Sequence, residues 1–237
     1  MNAIILAGGA GTRLKSVVKD IPKPMADIGG RPFLAYLMDA LARQGIQHVL
    51  LSVGYLHEVI ERHFGTRYNG MDLAYNVEQE PLGTGGAVRK ALRSSTDDDI
   101  LVMNGDTYFD VDLKAFLAFH RMQKADITLA VTSQADTGRY GAVVIDDTNR
   151  ITGFREKHDR GQGYINGGVY LMGRSMRSGS DPIGKASSFE RDFLASRTAE
   201  LNIRAFVSNG YFVDIGIPED YERARRELGP FVAGKRT

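Results

Sequence analysis

The sequence predicts an α/β protein with a three-layer α/β/α, Rossmann-like fold around a mixed, mostly parallel central sheet. Three observations carry this. Short apolar runs at 3–7, 48–53, 73–77 and 100–103 alternate with amphipathic stretches, the order of strands joined by helical crossovers. Three of these runs lead straight into glycine-containing loops. A chain of 237 residues with 43% hydrophobic content is also long enough to bury one large core. We expect a single domain over 1–237, with one half to about residue 110, a second over about 111–228, and a tail over 229–237.

In chain order, the run from Ala3 predicts a strand that opens into glycines at 8, 9 and 11, then a short helix from Arg13 to Val18. Pro22 and Pro24 force an extended segment around Lys23. Phe33, Tyr36, Leu37, Ala40 and Leu41 recur at helical spacing, Gly45 closes that helix, and His48 to Val53 reads as a buried strand. A helix from Leu56, a strand from Leu73 to Val77, a helix from Ala87 to Leu92 and a strand from Ile100 to Met103 follow. The second half predicts a helix from Asp112, strands near 126–131, 140–145, 151–154 and 164–170, and a short helix at Phe189–Leu194. Strands at 203–207 and 211–213 then precede a last helix opened by Pro218.

Charged residues make up 25% of the chain and the net charge is +1, so no global field points to nucleic acid or a membrane surface. The absence of cysteine excludes disulfides, a thiolate zinc site and a cysteine nucleophile. The first apolar run lacks the basic flank of a signal peptide, and no apolar stretch reaches the roughly 18 residues of a membrane span. A cytoplasmic protein is the expectation, and a homo-oligomer is compatible with it.

Ligands of open α/β sheets sit beyond the carboxyl ends of the strands, so the loops there are the candidate sites. Gly8, Gly9 and Gly11 let consecutive backbone amides approach a phosphate, although the loop matches neither G-x-G-x-x-G nor a Walker sequence. Lys23, held between prolines, presents an ammonium from a defined place. The segment 78–86 is a second glycine-rich loop, in which Gln79 offers both a donor and an acceptor to a nucleobase edge. Asp106 is placed to ligate a hard cation through oxygen, and Asp214 is a second strand-end aspartate. Glu156, Lys157 and Asn166 suit a polyhydroxylated ligand that carries a phosphate. The five histidines show no metal-binding spacing.

The motifs Leu6-Ala7-Gly8-Gly9-Ala10-Gly11-Thr12-Arg13-Leu14, Pro22-Lys23-Pro24-Met25, 79–86, Asn104-Gly105-Asp106, Phe154-Arg155-Glu156-Lys157, Asn166-Gly167-Gly168 and Asp214-Ile215-Gly216 stand in one order. By them the chain resembles the sugar-1-phosphate nucleotidyltransferases. Within that family, segments 15–26, 31–34, 188–194 and 214–221 are most similar to the guanylyltransferases of heptose 1-phosphate. The resemblance implies transfer of a nucleoside monophosphate from a nucleoside triphosphate, GTP for that branch, to a sugar 1-phosphate, with release of pyrophosphate. The product would be a nucleotide sugar for surface-polysaccharide synthesis.

The resemblance also distributes roles. Arg13, Lys23 and Asp106 would be catalytic. Leu6, Ala7, Gly8, Gly9, Gly11, Thr12, Gln79, Gly83, Thr84 and Gly105 would hold the nucleotide, and Glu156, Lys157, Asn166 and Gly167 the sugar phosphate. Asp106 and Asp214 would hold Mg²⁺. Uridylyl or cytidylyl transfer to glucose or N-acetylmuramic acid 1-phosphate stays open on these residues. A non-catalytic nucleotide-sensing subunit is the alternative of another class. A metal-dependent glycosyltransferase could use Asp110-Val111-Asp112, but it leaves the first loop and Arg13 unexplained.

Overall fold

The computed structural model describes residues 1–9, 14, 21–93, 95, 97–155, 161–177 and 188–234. Strand β1 (Ala3–Ala7) is followed by the small hairpin β2 (Asp27–Ile28) and β3 (Arg31–Pro32), then α1 (Phe33–Arg43), β4 (His48–Val53), α2 (His57–Phe64), β5 (Arg67–Tyr68) and β6 (Met71–Val77). Helix α3 (Gly83–Arg93), β7 (Asp99–Asn104), β8 (Thr107–Phe109), α4 (Leu113–Met122) and β9 (Ile127–Gln134) come next. Strands β10 (Ala142–Ile145), β11 (Ile151–Arg155) and β12 (Gly163–Gly173), a π-helix (Phe189–Leu194), β13 (Ile203–Val207), β14 (Phe212–Asp214) and α5 (Pro218–Gly234) complete the chain.

The main sheet runs β11-β10-β12-β7-β1-β4-β6-β5, with β9 paired to β12 and β13 paired to β9. From β7 through β1 and β4 to β6 the strands are parallel, and β12 joins β7 antiparallel. Because β12 of the second half pairs with β7 of the first, one sheet spans both halves. The chain leaves β1 toward β4 and β6 on one side and returns to β7 on the other. That reversal makes the carboxyl end of β1 a topological switch point, where ligands of such sheets bind.

Alternation along the strands sends successive side chains into different layers. Ala3, Ile5, Ala7, Leu101 and Met103 face a core closed by α1, α2, α4 and α5 residues such as Phe33, Leu37, Ile60, Phe116 and Leu228. Ile4, Ile100, Val102, Leu129 and Tyr170 face the opposite core, closed by Val88 and Leu92 of α3 and by Phe189 and Phe193 of the π-helix. The three expected layers are the result.

Two boundaries differ from the sequence expectation. Helix α3 starts at Gly83 and not at Ala87, so the glycine-bearing end of the second loop is the first turn of a helix. Gly83 enters it at φ +66°, and Gly85 and Gly86 are buried. Helix α5 runs to Gly234, whereas 229–237 was expected to be a tail. Phe231 stacks on Tyr211 at 4.6 Å, and Val232 is buried, so this last turn belongs to the core. All but Leu14 of the predicted helix over 13–18 lies outside the described residues.

Candidate active site

A cavity of about 760 Å³ opens at the switch point. Leu6, Ala7, Gly8 and Gly9 line it from the end of β1, Gly54 and Tyr55 from β4, Glu78 and Gln79 from β6, and Asn104 and Asp106 from β7. Gly83, Thr84 and Ala87 contribute from α3, Lys23 and Pro24 from the segment after β1, and Asp214 and Gly216 from β14 and its turn.

Glycines allow these strand ends to converge. A Cβ on Gly105 would lie 2.7 Å from the Leu6 carbonyl oxygen, to which the Gly105 N–H donates at 2.9 Å. Only an unsubstituted residue therefore lets the chain pass flush against β1 and bring Asp106 in beside it. Gly8 and Gly54 meet in the same way, since a Cβ on Gly54 would stand 2.9 Å from the Gly8 carbonyl oxygen.

The two aspartates are brought together by the small sheet of β8 and β14, in which Asp214 pairs with Thr107 and the Ile215 N–H donates to the Asp106 carbonyl at 2.9 Å. Lys23 Nζ donates to Asp106 Oδ2 at 2.6 Å and lies 4.0 Å from Asp214 Oδ1. Its side chain is only 12% exposed, against 38% for Asp106 and 32% for Asp214. The cation is thus less exposed than the two carboxylates, and all three line the cavity. Burial, then the charge of Asp106, push the Asp214 carboxyl up to about 6, against the pull of Lys23 and of the Gly216 N–H at 2.6 Å. A carboxyl whose ionisation is disfavoured by burial and by a neighbouring carboxylate makes a place for a cation.

Glu78 is the main residue that sequence reasoning missed. Its Oε1 accepts from Ser52 Oγ at 3.1 Å and its Oε2 from the Leu82 N–H at 3.3 Å, which holds the carboxylate on the cavity wall beside Gly8. Four lone-pair positions minus these two donors leave acceptors for a ligand. Gln79, the predicted base reader, is exposed and lines the cavity one residue further along. Since β6 ends at Val77, the strand-end argument itself points at residue 78.

Leu6, Ala7, Gly8, Gly9, Lys23, Gln79, Gly83, Thr84, Asp106 and Asp214 thus share one cavity, with Gly105 behind it. Asn166 and Gly167 do not line it. The Asn166 amide donates to Tyr170 Oη at 2.7 Å and accepts from the Gly168 N–H at 3.0 Å. Gly167 is buried beneath the Phe109 ring. Gly11, Thr12, Arg13, Glu156 and Lys157 lie outside the described residues. Among the described residues no helix is long and apolar enough to cross a membrane.

Known proteins resemble this chain in sequence and fold. The chain is 46% identical over 98% of its length to all of a D-glycero-α-D-manno-heptose 1-phosphate guanylyltransferase of Aneurinibacillus thermoaerophilus. It is 43% identical over 93% of its length to 97% of the protein of the same name from Campylobacter jejuni. The structure of HddC from Yersinia pseudotuberculosis complexed with GMP-PN superposes with a TM-score of 0.84 at 38% identity, covering 96% of this chain and 99% of that one. A glucose-1-phosphate thymidylyltransferase structure from Bacillus anthracis, described as putative, shares the fold with a TM-score of 0.81 at 22% identity. The nucleotidyl transferase family model matches residues 2–229, and the chain belongs to that family.

Proposed function

We propose that this protein transfers guanylate from GTP to D-glycero-α-D-manno-heptose 1-phosphate, giving GDP-heptose and pyrophosphate. The observation that carries the reading is the joint lining of one switch-point cavity by the Glu78 carboxylate and by Lys23, Asp106 and Asp214. The two relatives named as heptose 1-phosphate guanylyltransferases and the HddC complex with GMP-PN support the choice of base and sugar.

Guanine presents N1–H and a 2-amino group on one edge, both donors, and a carboxylate supplies only acceptors. Glu78 is therefore matched to guanine in a way that it is not to uracil, which offers a single N3–H between two carbonyls. In the reaction a phosphate oxygen of the sugar phosphate forms a bond to the α-phosphorus as the bond from that phosphorus to the bridging oxygen breaks. The electron pair leaves with pyrophosphate. The nucleophile is already an anion, so the requirement is for counter-charge and alignment, not a general base. Lys23 supplies a fixed positive charge at the end of β1, and Gly8 and Gly9 supply close backbone approach there.

The donor set of Asp106 and Asp214 fits Mg²⁺, which binds through one or two carboxylates and completes its shell with substrate phosphates and water. Held there, the ion would neutralise phosphate charge and hold the reacting groups in register. Pyrophosphate release measured for four nucleoside triphosphates against heptose, mannose, glucose and N-acetylmuramic acid 1-phosphates tests the reading. GTP with the heptose phosphate should give the highest kcat/KM, and a uridine or cytidine nucleotide in first place would refute it.

A further inference from the structure

Glu190 lies outside the cavity lining, yet it bonds to Thr84, which forms part of it. Its Oε1 accepts from Tyr170 Oη at 2.7 Å, and its Oε2 accepts from Thr84 Oγ1 at 3.4 Å and Ser188 Oγ at 3.3 Å. Thr84 Oγ1 in turn accepts from the Phe189 N–H at 2.8 Å, so the first turn of α3 is clasped to the start of the π-helix by two bonds. Tyr170 is fully buried. Its phenol accepts from the Asn166 amide at 2.7 Å and also faces the side chain of Asn104, which lines the cavity two residues before Asp106.

One carboxylate thus joins Thr84, on one side of the cavity, to the phenol of Tyr170, its bond to Thr84 spanning 106 residues of sequence. The surrounding core of Val88, Leu92, Phe189 and Phe193 is apolar. An apolar side chain at 190 would be compatible with that packing but would hold neither Thr84 nor the phenol in one orientation. The element that carries Glu190 is itself uncommon. The Ala195 N–H donates to the Glu190 carbonyl at 3.0 Å, the i to i+5 bond of a π-turn, a geometry found often beside functional sites.

We propose that Glu190 is a positioning residue for the transfer reaction, fixing Thr84 directly and Asn104 and Asn166 through Tyr170. This rests on the reading of the cavity as the nucleotide site. It assigns Thr84 a structural bond through its hydroxyl and leaves the rest of its surface to the ligand. The buried phenol, itself held by Glu190 and Asn166, faces Asn104 and so keeps the segment leading to Asp106 in register with α3.

The test compares Glu190→Ala, Glu190→Gln, Tyr170→Phe and the double variant Glu190→Ala/Tyr170→Phe. Each is assayed for GTP affinity by calorimetry and for kcat and KM, below the melting temperature of all four. Glu190→Ala should lower kcat/KM for GTP by about tenfold, the scale of a lost hydrogen bond to a charged group. Glu190→Gln should recover most of this, since its amide keeps an acceptor for Tyr170 and gives the Thr84 and Ser188 hydroxyls a donor to accept. Tyr170→Phe should reproduce the loss, and the double variant should be no worse than either single change, as expected of one chain of contacts.

Wild-type kinetics in Glu190→Ala and Tyr170→Phe, whatever their melting temperatures, would overturn the proposal, as would losses that multiply in the double variant. If Glu190→Ala fails to fold, Tyr170→Phe alone decides. A wild type that prefers another nucleoside triphosphate would refute the guanylyl reading only, and the comparison is then made with that nucleotide. A wild type that binds none would overturn both.

Discussion

Lys23 Nζ donates to Asp106 Oδ2 at 2.6 Å, from a position less exposed than the carboxylate it holds. The pair joins a lysine fixed between two prolines to an aspartate admitted beside β1 by Gly105. Replacing Lys23 by Ala removes the positive charge held against Asp106, and on the proposed reading Asp106→Asn removes a ligand of Mg²⁺. Either change should lower kcat by several hundredfold, on the scale of about 3–4 kcal/mol for one transition-state charge, with the fold intact by circular dichroism. Chelation of divalent cations should silence the wild type, and added Mg²⁺ should restore it. Near-wild-type turnover in both variants would remove Lys23 and Asp106 from the chemistry.

Glu78 should govern base choice. Glu78→Gln places an amide donor where guanine also donates, so kcat/KM for GTP should fall by about ten- to a hundredfold. The value for UTP should stay level or rise. Inosine triphosphate, which lacks the 2-amino group, should discriminate less between wild type and variant than GTP does. An equal loss for every nucleotide would mean that Glu78 only shapes the wall.

Gly167 separates packing from sugar binding. A Cβ at this position meets the Phe109 ring and comes within 2.9 Å of the Ala130 carbonyl oxygen. Gly167→Ala should therefore destabilise the protein by about 1–3 kcal/mol, the usual range for overpacking. The loss should appear in urea unfolding, with KM for the sugar phosphate unchanged below the melting range. A large KM change with unaltered stability would return Gly167 to the sugar site.

His120 predicts acid sensitivity remote from catalysis. It is 3% exposed, its Nδ1 lies 2.7 Å from Thr128 Oγ1, and it is faced by Asp99, Arg121 and Asp126. Burial holds its pKa below the ordinary 6.5, against the opposing pull of Asp99. The unfolded chain therefore takes up this proton more readily than the folded one. The stability it contributes is full above pH 6.5 and falls as the pH drops from there through the folded value. Melting temperatures between pH 7.5 and 5.5 should fall for the wild type, and less steeply for His120→Gln. Parallel curves would contradict this.

Much of the fold was legible because its strands are short apolar runs that end in glycines, and β4 and β13 fall at the predicted bounds. The start of α3 was not, since Gly83-Thr84-Gly85-Gly86 has poor intrinsic helix propensity, and packing against the sheet and the π-helix prevails. Lys23, Asp106 and Asp214 could each be named from their loops. Their meeting depends on the register of β8 with β14, which no local pattern encodes. Glu78 was missed beside Gln79, although the predicted strand already ended at Val77, because Ser52 and Leu82 hold its carboxylate on the wall and no local pattern shows those contacts. The bond between Thr84 and Glu190 joins positions too far apart in sequence for any spacing rule to connect.

The central claim is attack on the α-phosphorus of GTP. The most direct test is a single-turnover reaction of α-³²P-labelled GTP with D-glycero-α-D-manno-heptose 1-phosphate, with products separated by chromatography. The account predicts that all transferred label appears in GDP-heptose, matched mole for mole by unlabelled pyrophosphate. Label released as GDP or GMP without a sugar nucleotide, or no reaction while GTP remains bound, would contradict it.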